Sequence, residues 1–575
     1  MRRYLRQILI FFLLSAGVAQ AADLPELQVV SVRGNRYFSA QKMIGWSGLK
    51  RNKPVSQENL TDAAMNILNK LSAAGYYFCR IDSIQQDYSS DSSLVSVTYH
   101  VDEGERLIYG GMEIIGDTLS LDEDFLSLAR PGNPLFYTDL GYDLSDVIRN
   151  KEEAGHPFAR LDIKDLALHH DTLSVAARLT AGPQAYLDKV RIIGLRSTKP
   201  NVIARETRIV PGEPYSLSRV QRARQRIRKL PYVESVSVPA LVPMGSNRYD
   251  LLFQVEEARS NSFDGVVGYQ PGADGEEGVV TGLLDLSFLN LFGTGRKAKI
   301  HWERASENQQ ALLLFYEEPW IFGLPINLWG EFSQEILDSL YLERFMAAGA
   351  TWPALDVLSL KGSIFQEEVL PDSVGELVGI YKSTERGGAL ELEYDTRDYI
   401  DNPIRGIYYR SRAAASIKDY TATSGLENAD IRHYETDVSW SYPVIGRQIL
   451  NLQVHGRFLQ TDEDPIPQPD LYRLGGTQTL RGYREDQFLG YITGWGSVEY
   501  RLWIDKVSRI YAFYNLGYYE WDPPSGTGTE RKWPWGYGVG FRQGTRIGII
   551  GFDFALGEED VLSTAKVHFR IINRF

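Results

Sequence analysis

Over its last three hundred residues the chain alternates apolar and polar side chains one by one, in short segments broken by Gly, Pro, Asn and Asp. In AKIHWERA, Ala298, Ile300 and Trp302 are apolar while Lys299, His301 and Glu303 are polar; in NLQVHGRF, Leu452, Val454, Gly456 and Phe458 oppose Asn451, Gln453, His455 and Arg457. Period two describes strands with two chemically different faces. Beyond the N-terminal leader no apolar run approaches the roughly 18 to 20 residues of a membrane helix. Such a chain is either a soluble secreted β protein or crosses a bilayer with strands. In lipid every backbone N–H and C=O must be paired within the protein, so the strands must close into a barrel. The 33 Tyr, 11 Trp and 52 Gly favour the barrel, because aromatic girdles and tight turns consume those residues. At roughly 20 residues per strand and connection, the segment 262–575 accommodates about 16 antiparallel strands.

The first 21 residues, MRRYLRQILIFFLLSAGVAQA, combine Arg2, Arg3 and Arg6 with an apolar run from Ile8 to Leu14 and the small-x-small end Ala19-Gln20-Ala21. This is the pattern of a cleavable secretory signal, too short in its apolar part to span a bilayer. No cysteine follows the cleavage site, so no lipid anchor is expected there. The one cysteine of the chain, Cys79, has no partner for an internal disulfide. A net charge of −13 argues against a nucleic-acid partner, which wants a basic face.

Between about residues 26 and 258 one order of signals recurs three times. Each unit opens on a short β-like run closed by glycine: LQVVSVRGN at Gly34, MEIIGD at Gly116, VRIIGL at Gly194. A proline-marked turn follows, at Pro54, Pro134 and Pro214, and leads into a polar helix-like stretch such as SQENLTDAAMNILNKLSAAG. Each unit ends on alternating strands, LVSVTYHVDEG, LSVAARLTAG and YDLLFQVEEA. The order implies a small sheet with helices on one face, in units of 22–104, 105–184 and 185–258.

This pattern resembles the POTRA domain, the periplasmic module of the BamA/TamA superfamily of outer-membrane assembly barrels. The C-terminal part is similar to the same superfamily in Asn290-Leu291-Phe292-Gly293-Thr294-Gly295-Arg296, in Glu318-Pro319-Trp320, and in Tyr394-Asp395-Thr396-Arg397-Asp398 with Asn402-Pro403 and Arg405-Gly406. The most specific match is Gly475-Gly476-Thr477 leading to Leu480-Arg481-Gly482-Tyr483, which resembles the loop tip that family members fold back into the lumen. Leu480 replaces the usual valine. The resemblance gives BamA five modules and two-partner secretion transporters two, so three modules point to a TamA-like member.

In the family the loop arginine docks on acidic and aromatic groups of late strands, and parity tests the carry-over. In SVEYRL the apolar side is Val498, Tyr500 and Leu502, so Glu499 is expected to face inward; in IGIIGFDFAL, Ile550, Phe552 and Phe554 face out and Asp553 in. In YAFYNLGY, Asn515 lies opposite Ala512, Tyr514 and Leu516, and stands where the family pattern places aspartate, with Phe513 and Gly517 in their expected places. The expected partners of Arg481 are therefore Glu499, Asp553, Asn515 and Phe513, with the two carboxylates foremost and Asn515 contributing a neutral bond. The chain ends KVHFRIINRF, where Val567, Phe569, Ile571 and Phe575 share one parity, similar to the terminal strand signal of outer-membrane barrels.

The expected architecture is multidomain: three α+β POTRA-like modules followed by a 16-stranded antiparallel transmembrane β-barrel, in the cell outer membrane with the modules in the periplasm. The resemblance implies a factor that assists insertion or secretion of outer-membrane β-barrel or autotransporter clients, by strand pairing at POTRA edges and at a barrel seam. Its partners would be outer-membrane lipids, those clients and an inner-membrane TamB-like protein. The alternatives are a dedicated protein or lipid transporter, or a passive channel. No catalytic constellation, cofactor motif or metal site is expected: His169-His170-Asp171 reads as a turn, Cys79 has no histidine beside it, and Gly45-Trp46-Ser47-Gly48 lacks the spacing of a nucleophile elbow.

Overall fold

The computed structural model describes residues 24–116, 130–270, 279–304, 306, 309–337, 340–421, 427–523, 528–545 and 548–572. The expected leader, residues 1–21, lies outside the described residues. Two compact units form: residues 1–188 with 211–219 and 243–249, and residues 189–210 with 220–242 and 250–575. No described helix is long and apolar enough to cross a membrane.

The first module is built from β1 (Glu26–Arg33), α1 (Ala40–Ser47), α2 (Gln57–Ala73), β2 (Arg80–Tyr88) and β3 (Leu94–Asp102). Its sheet runs β1-β3-β2, with β1 parallel and β2 antiparallel to β3. Ser56 starts α2 with a capping box, its Oγ accepting from the Asn59 N–H while Asn59 accepts from the Ser56 N–H. Apolar side chains at helical spacing, Leu60, Ala63, Ile67 and Leu71, then bury against Leu27, Val97 and Tyr99 of the sheet. The second module repeats the order with β4 (Ile108–Gly116), α3 (Tyr137–Glu153), β5 (Arg160–His169) and β6 (Thr172–Thr180), in the sheet β4-β6-β5. His170 and Asp171 form the tip of the β5–β6 hairpin, with His170 at a φ of 56°.

The third module has β7 (Tyr186–Ile193), α4 (Pro200–Glu206), α5 (Leu217–Lys229), β8 (Val233–Val236), β9 (Ala240–Gly245) and β10 (Arg248–Glu257), with sheet order β7-β10-β8 and β9 on β10. The marker residues of the repeat have common physical roles. Gly34, Gly116 and Gly194 have φ of 86°, 108° and 91°, and a Cβ at each would collide with one carbonyl oxygen of the neighbouring strand, that of Val101, Leu179 and Val255. Pro54, Pro134 and Pro214 each bridge back to the start of their module's first strand, at Glu26, Ile108 and Tyr186.

The rest of the chain is one antiparallel sheet. Its strands are β11 (Asn261–Gln270), β12 (Val279–Leu291), β13 (Arg296–Arg304), β14 (Gln310–Glu318), β15 (Asn327–Leu337), β16 (Tyr341–Trp352), β17 (Leu358–Pro371), β18 (Ser383–Asp395), β19 (Gly406–Tyr420), β20 (Ala429–Ile445) and β21 (Gln448–Thr461). After β21 the chain makes a loop containing the small hairpin β22 (Tyr472–Leu474) and β23 (Phe488–Gly490), and returns as β24 (Ile492–Trp503), β25 (Arg509–Trp521), the three-residue β26 (Glu530–Lys532), β27 (Trp535–Thr545), β28 (Gly548–Gly557) and β29 (Lys566–Ile572). Apart from β22, β23 and β26 these are sixteen long strands, each laddered to the next. The three modules and the sixteen-stranded barrel expected from the sequence are the architecture found. β11 and β29 come within 8 Å between Cα atoms, but no ladder joins them among the described residues.

Alternation sorts the faces. On β24, Val498, Tyr500 and Leu502 are 46–48% exposed on the lipid side, whereas Glu499 on the lumenal side is 4% exposed. On β29, Val567 and Phe569 share the exposed side. The side chain of Ile571 and the whole of Phe575 lie outside the described residues.

Candidate functional site

The loop between β21 and β24 brings Arg481 to the inner faces of β24 and β25. Its base is apolar: Leu480 is fully buried with Leu474 and Tyr519, beside Tyr483 and Phe488. Gly482, at φ 99°, passes so close to the β28 backbone that a Cβ would lie 2.8 Å from Leu556 and Gly557 main-chain atoms. The Tyr483 hydroxyl donates to the Trp535 carbonyl at 2.9 Å and accepts from the Glu558 N–H at 3.3 Å.

These contacts hold Arg481 with Nη2 2.7 Å from Glu499 Oε1, 2.9 Å from Ser497 Oγ and 3.0 Å from Asn515 Oδ1. The guanidinium carbon stands 3.6 Å from the centre of the Phe513 ring. Arg501 takes the other oxygen of Glu499 at 2.7 Å and donates to Asn451 at 2.7 Å. The buried carboxylate thus lies between two guanidinium groups, a charge-assisted arrangement in a water-poor site. Asn515 Oδ1 accepts from both Arg481 and Ser497, and its amide nitrogen is buried without a hydrogen-bond partner.

Three of the four expected partners, Glu499, Asn515 and Phe513, are therefore brought to Arg481. Asp553 is not, and that expectation is corrected. The ladder aligns Glu499, Phe513, Gly538 and Ala555 in one row and Arg501, Tyr511, Gly540 and Asp553 in the next inward-facing row. Asp553 is one row away and accepts from the Tyr511 hydroxyl at 2.6 Å. Parity gives the face of a residue but not its height along the barrel, which only register sets.

Sequence reasoning also missed the residues that make room for the loop. In WGYGVGF, Gly536, Gly538 and Gly540 turn inward while Tyr537, Val539 and Phe541 are exposed. A Cβ at Gly536 would strike the Arg481 carbonyl; at Gly538 it would lie 2.7 Å from the Phe513 ring, and at Gly540 2.7 Å from the Tyr511 ring. Glycine at every second position of a late strand is the signal that was there to be read.

The remaining family-like segments are turns at which the barrel strands meet helices α4 and α5. Asn290 Nδ2 donates to Thr198 Oγ1 at 2.8 Å, the Lys199 N–H to the Gly293 carbonyl at 2.9 Å, and Arg205 to the Thr294 carbonyl at 3.1 Å. The Trp320 indole N–H donates to Glu206 at 2.6 Å. Burial pushes the Glu206 carboxyl above its ordinary range, against the opposing pull of that indole and of Arg205, Arg208 and Lys297. From the basic face of α5, Arg226 pairs with Asp356 at 2.5 Å and Lys229 reaches the Asp356 and Asp395 carbonyls at 3.1 and 3.4 Å. Arg397 forms a forked pair with Asp395 at 2.8–2.9 Å, and Asn402 anchors the β24–β25 turn through the Asp505 and Ser508 carbonyls.

Residues 380–575 match the model of the Omp85 superfamily domain, and residues 25–104 and 185–258 match that of the POTRA repeat, the surface antigen variable number repeat. This chain is a POTRA-containing Omp85 superfamily member. As such it is an outer-membrane barrel with its POTRA repeats in the periplasm. The second module falls outside the repeat match although its strand order is that of the first. One difference is visible: Glu103 and Glu257 each accept N–H groups from the turn after the glycine, whereas Ala181 stands at the equivalent position of the second module.

Among curated relatives, the outer membrane protein assembly factor BamA of Neisseria meningitidis is 23% identical over 305 residues, covering 50% of this chain and 37% of its own. A putative outer membrane protein assembly factor of Treponema pallidum is 26% identical over 292 residues, covering 48% and 34%. This Omp85 chain thus spans little more than a third of the length of those relatives. Among solved structures, BamA from Haemophilus ducreyi lacking POTRA domains 1–3 aligns with a TM-score of 0.50 at 17% identity, over 81% of this chain and 100% of its own. CdiB from Escherichia coli aligns at 0.50 and 14%, over 90% and 97%.

Proposed function

We propose that this protein, after removal of residues 1–21, assists the insertion or secretion of outer-membrane β-barrel or autotransporter clients, as a TamA-like member of its family. The observation that carries the reading is the seam. Fifteen junctions between long strands are laddered, and the sixteenth, between β11 and β29, has close backbones and no described ladder. Unpaired N–H and C=O groups in lipid cost several kcal/mol each, roughly, so an incoming strand that satisfies them is bound without regard to its sequence. The modules extend the same chemistry into the periplasm, since β1 and β2, and β4 and β5, are the edge strands of their sheets. Arg481 holds the loop in the lumen during this exchange. Lipid and client are the partners the reading requires, with an inner-membrane TamB-like protein bridging the periplasm. The test is a disulfide engineered between β11 and β29: assembly of a barrel client in proteoliposomes should stop when it is oxidised and resume on reduction. Unchanged assembly with the seam locked would reject the reading.

A further inference from the structure

On the lumenal side of β15 to β19 carboxylates oppose carboxylates. The ladder sets Glu335 directly across from Glu343, and Glu367 directly across from Glu385, which in turn lies across from Lys418. Like charges directly opposite on a sheet are destabilising, and two such pairs stand within one wall. Asp470, at the end of the short turn Gln468–Asp470 that leads into the Arg481 loop, adds another carboxylate. One oxygen each of Glu367, Glu385 and Asp470 lie within 4.8 Å of one another. Glu367 has no hydrogen bond or ion pair among the described residues.

A second observation points the same way. The Glu463 side chain is nine-tenths buried and faces Asp470, with which it shares the Lys418 ammonium, 2.5 Å from Asp470 and 3.7 Å from Glu463. Glu463 Oε1 accepts from the Tyr420 hydroxyl, while Oε2 is buried without a hydrogen-bond partner. A buried oxygen of this kind wants a proton donor or a cation. Oxygens bound to one Ca²⁺ at roughly 2.3–2.6 Å can stand up to about 5 Å apart, and hard cations take all-oxygen donor sets.

We propose that Glu367, Glu385 and Asp470, with Glu463 beside them, form a divalent-cation site of the Ca²⁺ class inside the barrel. The cation offsets the facing carboxylates and ties the base of the Arg481 loop to β17 and β18. No spacing in the sequence announces the site, because its donors come from two strands and a loop a hundred residues apart in the chain. The inference stands apart from the assembly reading and is tested without a client.

The full chain, purified in detergent and stripped with EDTA, is titrated with Tb³⁺, whose luminescence the nearby tyrosines Tyr341, Tyr420 and Tyr472 sensitise, and then competed with Ca²⁺. One saturable site displaced by Ca²⁺ is expected, at least tenfold weaker in Glu367→Gln and in Asp470→Asn, both of which should keep heat-modifiable migration. In EDTA, Glu367→Gln should unfold at a higher temperature than the unsubstituted protein, and added Ca²⁺ should raise the transition of the latter alone. Should one variant fail to fold, Glu385→Gln gives the same reading. No saturable Tb³⁺ signal, a signal undiminished in every folded variant, or stability that responds to acid and not to Ca²⁺ would overturn the proposal, the last by assigning the cluster to shared protons.

Discussion

Arg481 and Arg501 hold opposite oxygens of a single buried carboxylate, that of Glu499, each at 2.7 Å. The loop residue is therefore one of two counter-charges, and the wall keeps its own when the loop leaves. Removing one partner of a buried ion pair costs about 3–5 kcal/mol when the other is stranded, which is not the case here.

Arg481→Ala should accordingly lower stability by only about 1–3 kcal/mol, leave the barrel inserted and heat-modifiable, and weaken client assembly several-fold. Arg481→Lys should rescue assembly in part, since an ammonium keeps the charge but loses the flat face on Phe513. Urea unfolding and a reconstituted assembly assay measure the two effects; wild-type assembly rates for Arg481→Ala would defeat the anchoring role.

Asn515→Asp should be tolerated and raise the free energy of unfolding by about 1 kcal/mol. Arg481 can only donate, so the Asn515 oxygen must face it and the amide nitrogen is the atom left without a partner. The neighbourhood holds Arg481, Arg501, Arg509 and Arg542 against Glu499 and Asp553, so a further carboxylate enters a cationic field. A loss of stability in this variant would contradict that charge balance.

At the junction of α5 with the barrel turns, Arg226 and Asp356 are each about four-fifths buried. A double-mutant cycle with Arg226→Ala and Asp356→Ala should give a coupling of about 1 kcal/mol in thermal unfolding of the whole chain. Additive losses would reduce the pair to a coincidence of surfaces.

Burial works against the ionised carboxyl of Glu257, but the hydroxyl and N–H of Thr198 and the N–H groups of Ser197 and Arg196 outweigh it and hold its pKa below the ordinary value of 4.5. A lowered folded-state value stabilises the native turn at pH above 4.5, and that contribution disappears as the pH falls through the lowered value. Amide exchange at 196–198 should be slower in the unsubstituted protein than in Glu257→Gln at neutral pH, and the difference should close in acid. A gap that persisted undiminished at low pH would point to another cause.

Alternation made the barrel legible, because a strand between lipid and lumen has to repeat every two residues, and the glycine and proline markers made the modules legible, because each glycine sits at a positive φ against a neighbouring carbonyl and each proline bridges back to the first strand of its module. The same alternation placed Glu499 and Asn515 inside. It could not separate Glu499 from Asp553, since both face inward and only the ladder register tells that Asp553 belongs to the row of Tyr511. The facing carboxylates were hidden for a related reason: Glu367 and Glu385 become neighbours through a hairpin register, and Asp470 joins them only through the path of a long loop. The contacts of α5 were beyond reach because a basic helix face carries no record of which turns it will meet.

The tip of the Arg481 loop is seated on β24, β25, β27 and β28, all on the C-terminal flank of the junction between β11 and β29. Under the proposed lateral opening, the obstruction in the bore would ride with the late strands, and passage would clear along the early ones. On that reading the first hairpins are the door leaf, and the last five strands the jamb to which the bolt is fixed.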